Sequence, residues 1–121
     1  MRHHRLVLLA ATSAVGLAAA APAFAHDEVK STSPSDGGRA STSVRKVTVT
    51  FEEAFRRGTL KVTGPGGAVV SKGSGGRDPR KASRLKVRLK GSLAKGRYTA
   101  HWRITAADGD AQDGTFHFRL R

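Results

Sequence analysis

The sequence predicts an all-β sandwich of about seven short strands, and three observations carry that prediction. Apolar and polar residues alternate with period two in one segment after another between Lys46 and Arg121, which is the pattern of strands with one wet face. Gly, Pro and Asp punctuate the gaps between those segments, as turns require. No window of helical length shows a 3.6-residue apolar period. Many short strands of this kind bury their apolar faces by stacking two sheets.

Residues 1–25 read as a cleaved signal peptide outside the fold. Arg2 and Arg5 form a basic start, Leu6–Ala21 is apolar and Ala-rich, and Ala23-Phe24-Ala25 is an A-x-A cleavage site. The stretch is short for a membrane span. Cleavage after Ala25 leaves residues 26–121 as one exported domain.

The strands then follow in order. Val47, Val49 and Phe51 alternate with Lys46, Thr48 and Thr50. Glu52–Arg57 leaves room for one helical turn. Leu60 and Val62 alternate with Thr59, Lys61 and Thr63, and a Gly64-Pro65-Gly66-Gly67 turn leads into Ala68–Val70. Lys72–Ser83, rich in Gly and Arg, reads as a solvated loop. Leu85, Val87 and Leu89 alternate with basic residues. Tyr98, Ala100, Trp102 and Ile104 form one inward set, and Phe116, Phe118 and Leu120 form another. Tyr98 and Trp102 are therefore expected in the core. His101 and His117 fall on the wet faces of their strands and are expected to be exposed and unrelated.

Composition narrows the function. The chain has 121 residues, 22 Lys plus Arg against 9 Asp plus Glu, and a formal charge of +13. It has no Cys, which excludes disulfides, thiolate metal sites and a thiol nucleophile. Its only Met is Met1, which excludes a thioether-rich Cu(I) site. So basic an exported protein attracts polyanions. Arg77, Arg80, Lys81, Arg84, Lys86 and Arg88, with Lys90, form the candidate polyanion-binding patch. No stacking-aromatic motif supports specific nucleic-acid binding. No arrangement of titratable groups points to hydrolysis, so the protein is not expected to be an enzyme.

The acids are gathered. Asp27 and Glu28 lie beside the expected new terminus, Glu52 and Glu53 follow the first strong strand, and Asp108, Asp110 and Asp113 crowd the last hairpin. Three acidic strand ends in a basic chain point to one local negative site. Cleavage after Ala25 makes His26 the first residue. A terminal His offers its α-amine and its imidazole Nδ1 as a chelate. Such nitrogen donors favour Cu(II), whose tetragonal geometry takes further N or O donors.

The mature chain resembles the CopC-type copper-resistance proteins. The resemblance rests on His26 directly after the leader, Ser33-Pro34-Ser35-Asp36-Gly37, and Val47–Glu53 ending in Phe51-Glu52-Glu53. Most specific is the run from Leu93 to Leu120, with Gly96-Arg97-Tyr98, Trp102-Arg103, Asp108-Gly109-Asp110 and Gly114-Thr115-Phe116-His117-Phe118. It implies an immunoglobulin-like or cupredoxin-like Greek-key sandwich. It also implies a Cu(II) site from the terminal His and the hairpin, with a strand-end Glu nearby. His26, Asp108 and Glu53 match those positions. The hairpin His of the family is replaced by Asp110.

Two readings follow from that departure. In one, the His26 amine and imidazole with Asp108 and Asp110 hold Cu(II), and Glu53 adds charge or a further ligand. The protein is then a copper carrier or buffer, expected as a monomer in the periplasm or on the outer side of the envelope. The resemblance adds a membrane copper-transport protein as a partner. In the other reading, copper binding is lost and the basic surface binds envelope polyanions.

Overall fold

The computed structural model describes residues 28–121. Its strands are β1 (Val29–Ser33), β2 (Arg39–Ala40), β3 (Lys46–Phe51), β4 (Phe55–Thr63), β5 (Ser71–Asp78), β6 (Lys81–Leu89), β7 (Gly96–Ala106) and β8 (Ala111–Leu120). They form two four-stranded sheets, ordered β1-β3-β6-β5 and β2-β8-β7-β4. This is the predicted sandwich, with eight strands rather than about seven, and β1 and the two-residue β2 form where the sequence pattern names no strand. Among the described residues no helix is long and apolar enough to cross a membrane.

The alternation explains the layering. In the first sheet Val47 pairs with Val87 and Val49 with Leu85, so apolar residues share a face across strands. In the second, Leu60 pairs with Trp102, Ala100 with Phe116 and Tyr98 with Phe118. All of these residues are buried. Each such aliphatic or Phe side chain contributes about 1.5–3 kcal/mol through its removal from water.

Aromatic rings brace both ends. Phe51 meets Phe55 and Trp102 edge-on, with centroids 5.4 and 4.9 Å apart. Tyr98 stacks on Phe118 at 5.6 Å. The Tyr98 hydroxyl donates to the Ala94 carbonyl at 2.6 Å, a tyrosine corner like that of immunoglobulin-type sandwiches. Burial raises the Tyr98 phenol above its ordinary pKa.

Three local expectations are corrected. Glu52–Arg57 forms no helical turn. Glu52 and Glu53 lie in a bend and Phe55 already starts β4, because Phe55 is drawn into the core beside Phe51. Ala68–Val70 is not a strand: Thr63 and Val69 make an isolated bridge, and Val69 is exposed. Lys72–Ser83 is not a loop but most of the β5–β6 hairpin. Its turn is set by Asp78, whose Oδ1 accepts the Arg80 amide at 2.9 Å, followed by Pro79, a strong turn former after Asp.

Candidate metal centre

One end of the sandwich collects the acidic strand ends. The β3–β4 link crosses between the sheets there and carries Glu52 and Glu53. The start of β1 lies against it, since the Glu52 amide donates to the Glu28 carbonyl at 2.9 Å. The β7–β8 turn joins from the second sheet, since Phe55 pairs with Ala106. Arg56 fastens this join: its Nε donates to the Ala107 carbonyl at 3.0 Å. Its guanidinium also lies over Gly109, 3.7 Å from where a Cβ would stand.

The turn itself is tightly built. The Ala106 amide donates to the Asp110 carbonyl at 2.8 Å, and the Gly109 amide to the Ala106 carbonyl at 2.9 Å. Gly109 has φ +94°, a left-handed conformation that glycine adopts without steric cost. Asp108 Oδ1 accepts the Asp110 amide at 3.0 Å. One Asp108 oxygen therefore holds the turn, and its other oxygen and the Asp110 carboxylate face solvent.

The residues expected at a metal site are distributed as follows. Glu53, Asp108 and Asp110 are exposed at this one end. His26 lies outside the described residues. Asp113 is not in the turn: it is a β8 residue directly opposite Arg103. Among the described residues no three His, Asp or Glu side chains converge closely enough to hold a metal ion. The carboxylates at this end form no complete site without a further donor.

The other histidines stay apart from it, and both are half-buried rather than exposed as expected. His101 pairs with Thr115 and His117 with Thr99, so the two sit diagonally on the outer face of the second sheet. His117 Nδ1 is 3.0 Å from Thr99 Oγ1. Its backbone amide donates to Asp36 Oδ1 at 3.3 Å.

The expected basic patch is subdivided. Arg77 donates from its guanidinium to the Phe55 carbonyl at 2.8 Å. Arg80 and Lys81 are exposed at the β5–β6 turn. Arg84 and Lys86 flank buried Asp78 at 3.6 and 3.7 Å. The Asp78 carboxyl is held below its ordinary pKa, first by the Arg80 amide and then by the charges of Lys86, Arg84 and Arg80, against an opposing contribution from burial. Arg88 stands elsewhere, between Lys46 and Lys72 in the cross-strand register. Neither lysine was singled out from the sequence. Lys46 occupies an outward position in the alternation of β3, whereas Lys72 lies in a Gly-rich stretch with no alternation to mark it.

Comparison with known proteins follows the same architecture. The family model described as CopC domain matches residues 29–121. The crystal structure of CopC from Methylosinus trichosporium OB3b is similar, with 22% identity and a TM-score of 0.66 over 78% of this chain and 93% of that one. The structure of PcoC, a methionine-rich copper resistance protein from Escherichia coli, gives 20% identity and a TM-score of 0.62, over 80% of this chain and 100% of that one. At these identities the likeness is one of fold. No protein of curated function matches the chain.

Proposed function

The chain belongs to the CopC domain family, and from that premise we propose that it is an exported Cu(II)-binding carrier or buffer. The ligands are the His26 α-amine and imidazole with Asp108 and Asp110, and Glu53 supplies charge or a further donor. The observation that carries this reading is the hydrogen bond from the Glu52 amide to the Glu28 carbonyl. It anchors the backbone two residues from His26, at the same end as the Asp108–Asp110 turn. Two residues reach at most about 7 Å, so a terminus created after Ala25 is tethered to the end of the sandwich that carries those carboxylates.

The donor chemistry favours Cu(II). Two nitrogens and carboxylate oxygens suit a tetragonal ion. The chain's only Met is Met1, within the proposed signal peptide, so it lacks the thioethers that suit Cu(I). With Asp110 in place of an imidazole, the site binds less tightly and separates Cu(II) less sharply from Ni(II) and Zn(II). Export through the residue 1–25 leader places the protein in the periplasm or on the outer side of the envelope. A membrane copper transporter is the proposed recipient, and no catalytic step is assigned.

The test is a Cu(II) titration of the chain beginning at His26, beside one with an extra N-terminal alanine, read by electron-spin resonance. One equivalent bound only by the native terminus, with a mixed N/O spectrum, is the expected result. The metal should leave below about pH 6, as an ordinary imidazole protonates. Equal weak binding by both chains, or a spectrum unchanged at pH 4, overturns the assignment of His26.

A further inference from the structure

The end of the sandwich opposite the acidic one is basic, and its outer face on the first sheet holds a feature that copper binding does not use. Lys46, Arg88 and Lys72 lie side by side across β3, β6 and β5. Strands about 4.8 Å apart place three cations across roughly 10 Å. All three are exposed. Like charges directly opposite one another on a sheet are destabilising, and among the described residues no carboxylate offsets this row. The only ion pairs among those residues are the ones Asp78 makes with Arg84 and Lys86.

Beside the row, β5 is rich in glycine, with Gly73, Gly75 and Gly76 around Ser74. The register skips between Lys72 and Gly76, and Gly73 and Gly75 take φ of +67° and +66°. Gly75 packs onto β6 so closely that a Cβ would lie 2.5 Å from the Lys86 carbonyl oxygen and 2.9 Å from Val87 Cβ. The result is a trough with a floor of Gly75, Gly76 and Val87, walled by Lys46, Lys72, Lys86 and Arg88. The same three cations of the row also line the adjoining depression next to Val44 and Arg45, so the trough continues past them.

We propose that this trough binds an extended phosphodiester chain, with its phosphates on Lys46, Arg88 and Lys72. The trough is open to solvent, and its lining is cationic with no exposed apolar side chain to enter a bilayer. Among the described residues, the large exposed hydrophobics Val29 and Val69 lie outside it. Aromatic side chains for stacking bases are absent from its lining, so the polymer is recognised by its backbone charge.

A second row, Arg39, Arg119 and Arg97, crosses the other sheet and serves as the control. It borders His117, whose backbone amide donates to the Asp36 carboxylate, and it has no glycine-rich strand beside it. It therefore matches the first row in charge and spacing but not in setting.

The experiment measures binding of a synthetic oligo(glycerol phosphate) to the chain beginning at His26, as a function of salt. The Lys46→Gln, Lys72→Gln, Arg88→Gln triple variant should bind at least about tenfold more weakly. Its log–log salt slope should be smaller by about two to three, since each neutralised phosphate releases a counterion. The Arg39→Gln, Arg97→Gln, Arg119→Gln triple should retain most of the affinity and slope. Gly76 has nothing within 4 Å of where a Cβ would stand and no left-handed φ, so Gly76→Glu should fold normally, keep its thermal midpoint and lose binding. Equal losses in the two triples overturn the site, because net charge alone would then explain the attraction. Tighter binding to phosphatidylglycerol vesicles than to the oligomer, at equal phosphate, overturns the polymer as the occupant.

Discussion

The β7–β8 and β5–β6 hairpins join strands of similar length by opposite means. β7 and β8 keep one unbroken register from Gly96–Leu120 to Thr105–Ala111. Every second residue there enters the core, so the position of the acidic turn is fixed by packed side chains. β5 and β6 slip register twice, and Gly73, Gly75 and Gly76 contribute no side chains to either face. The first hairpin uses core packing to aim a few polar groups. The second uses backbone contact to clear a surface between cations. Rigid aim suits an ion, whereas an open surface suits a polymer.

The sharpest way to break this contrast is at the glycines. Gly75→Ala should cost about 2–4 kcal/mol, combining left-handed strain with overpacking against Lys86 and Val87. Gly109→Ala in the β7–β8 turn has only left-handed strain to overcome, because its Cβ would meet nothing nearer than the Arg56 guanidinium at an ordinary contact distance of 3.7 Å. It should cost about 1–2 kcal/mol. Urea midpoints of both variants check the order. Equal costs would mean that β5 does not rest on β6 as described.

A second substitution sharpens the chemistry of the acidic turn. Asp110→His restores an imidazole where the family carries one and replaces an oxygen donor with nitrogen. Cu(II) affinity should rise about tenfold or more, with an added nitrogen in the spin-resonance spectrum. No change in affinity would remove Asp110 from the ligand set.

The smallest effect concerns the other turn. Asp78→Asn keeps an acceptor for the Arg80 amide but removes the charge facing Arg84 and Lys86. The folded carboxyl sits below its ordinary value, so its contribution is present above the unfolded pKa of about 3.9 and is lost as the pH falls below it. The variant should unfold at lower urea than the parent at pH 7, and the difference should shrink progressively as the pH falls below about 4 and through the lower folded pKa. A difference that is the same at pH 7 and well below the folded pKa would assign the loss to packing rather than charge.

The same contrast explains what was legible in the sequence. Strands β3, β6, β7 and β8 announce themselves because alternating Val, Leu, Ile and aromatic residues must face one core. β5 has no alternation to read, since glycine marks neither face. Its only signals were Asp78-Pro79 and the need for a partner to β6. The acidic turn was visible as Asp108-Gly109-Asp110, but Asp113 looked like part of it until strand pairing set it opposite Arg103. The basic patch was read along the chain, where Arg77, Arg80 and Lys81 seem to join Arg88. Cross-strand register instead groups Arg88 with Lys46 and Lys72, two residues far away in sequence, and diverts Arg77 to the Phe55 carbonyl.

The single bond between the Glu52 amide and the Glu28 carbonyl has an entropic consequence. In the proposed mature chain, it leaves the terminal amine and imidazole on a leash of two residues. A tether this short corresponds to an effective concentration on the order of millimolar or more. The nitrogen donors need not be recruited from solution each time an ion arrives at the carboxylates. One residue inserted before His26 leaves the leash intact but moves the free amine off the chelate ring, and unzipping Glu28 from Glu52 would lengthen the leash while leaving every ligand in place.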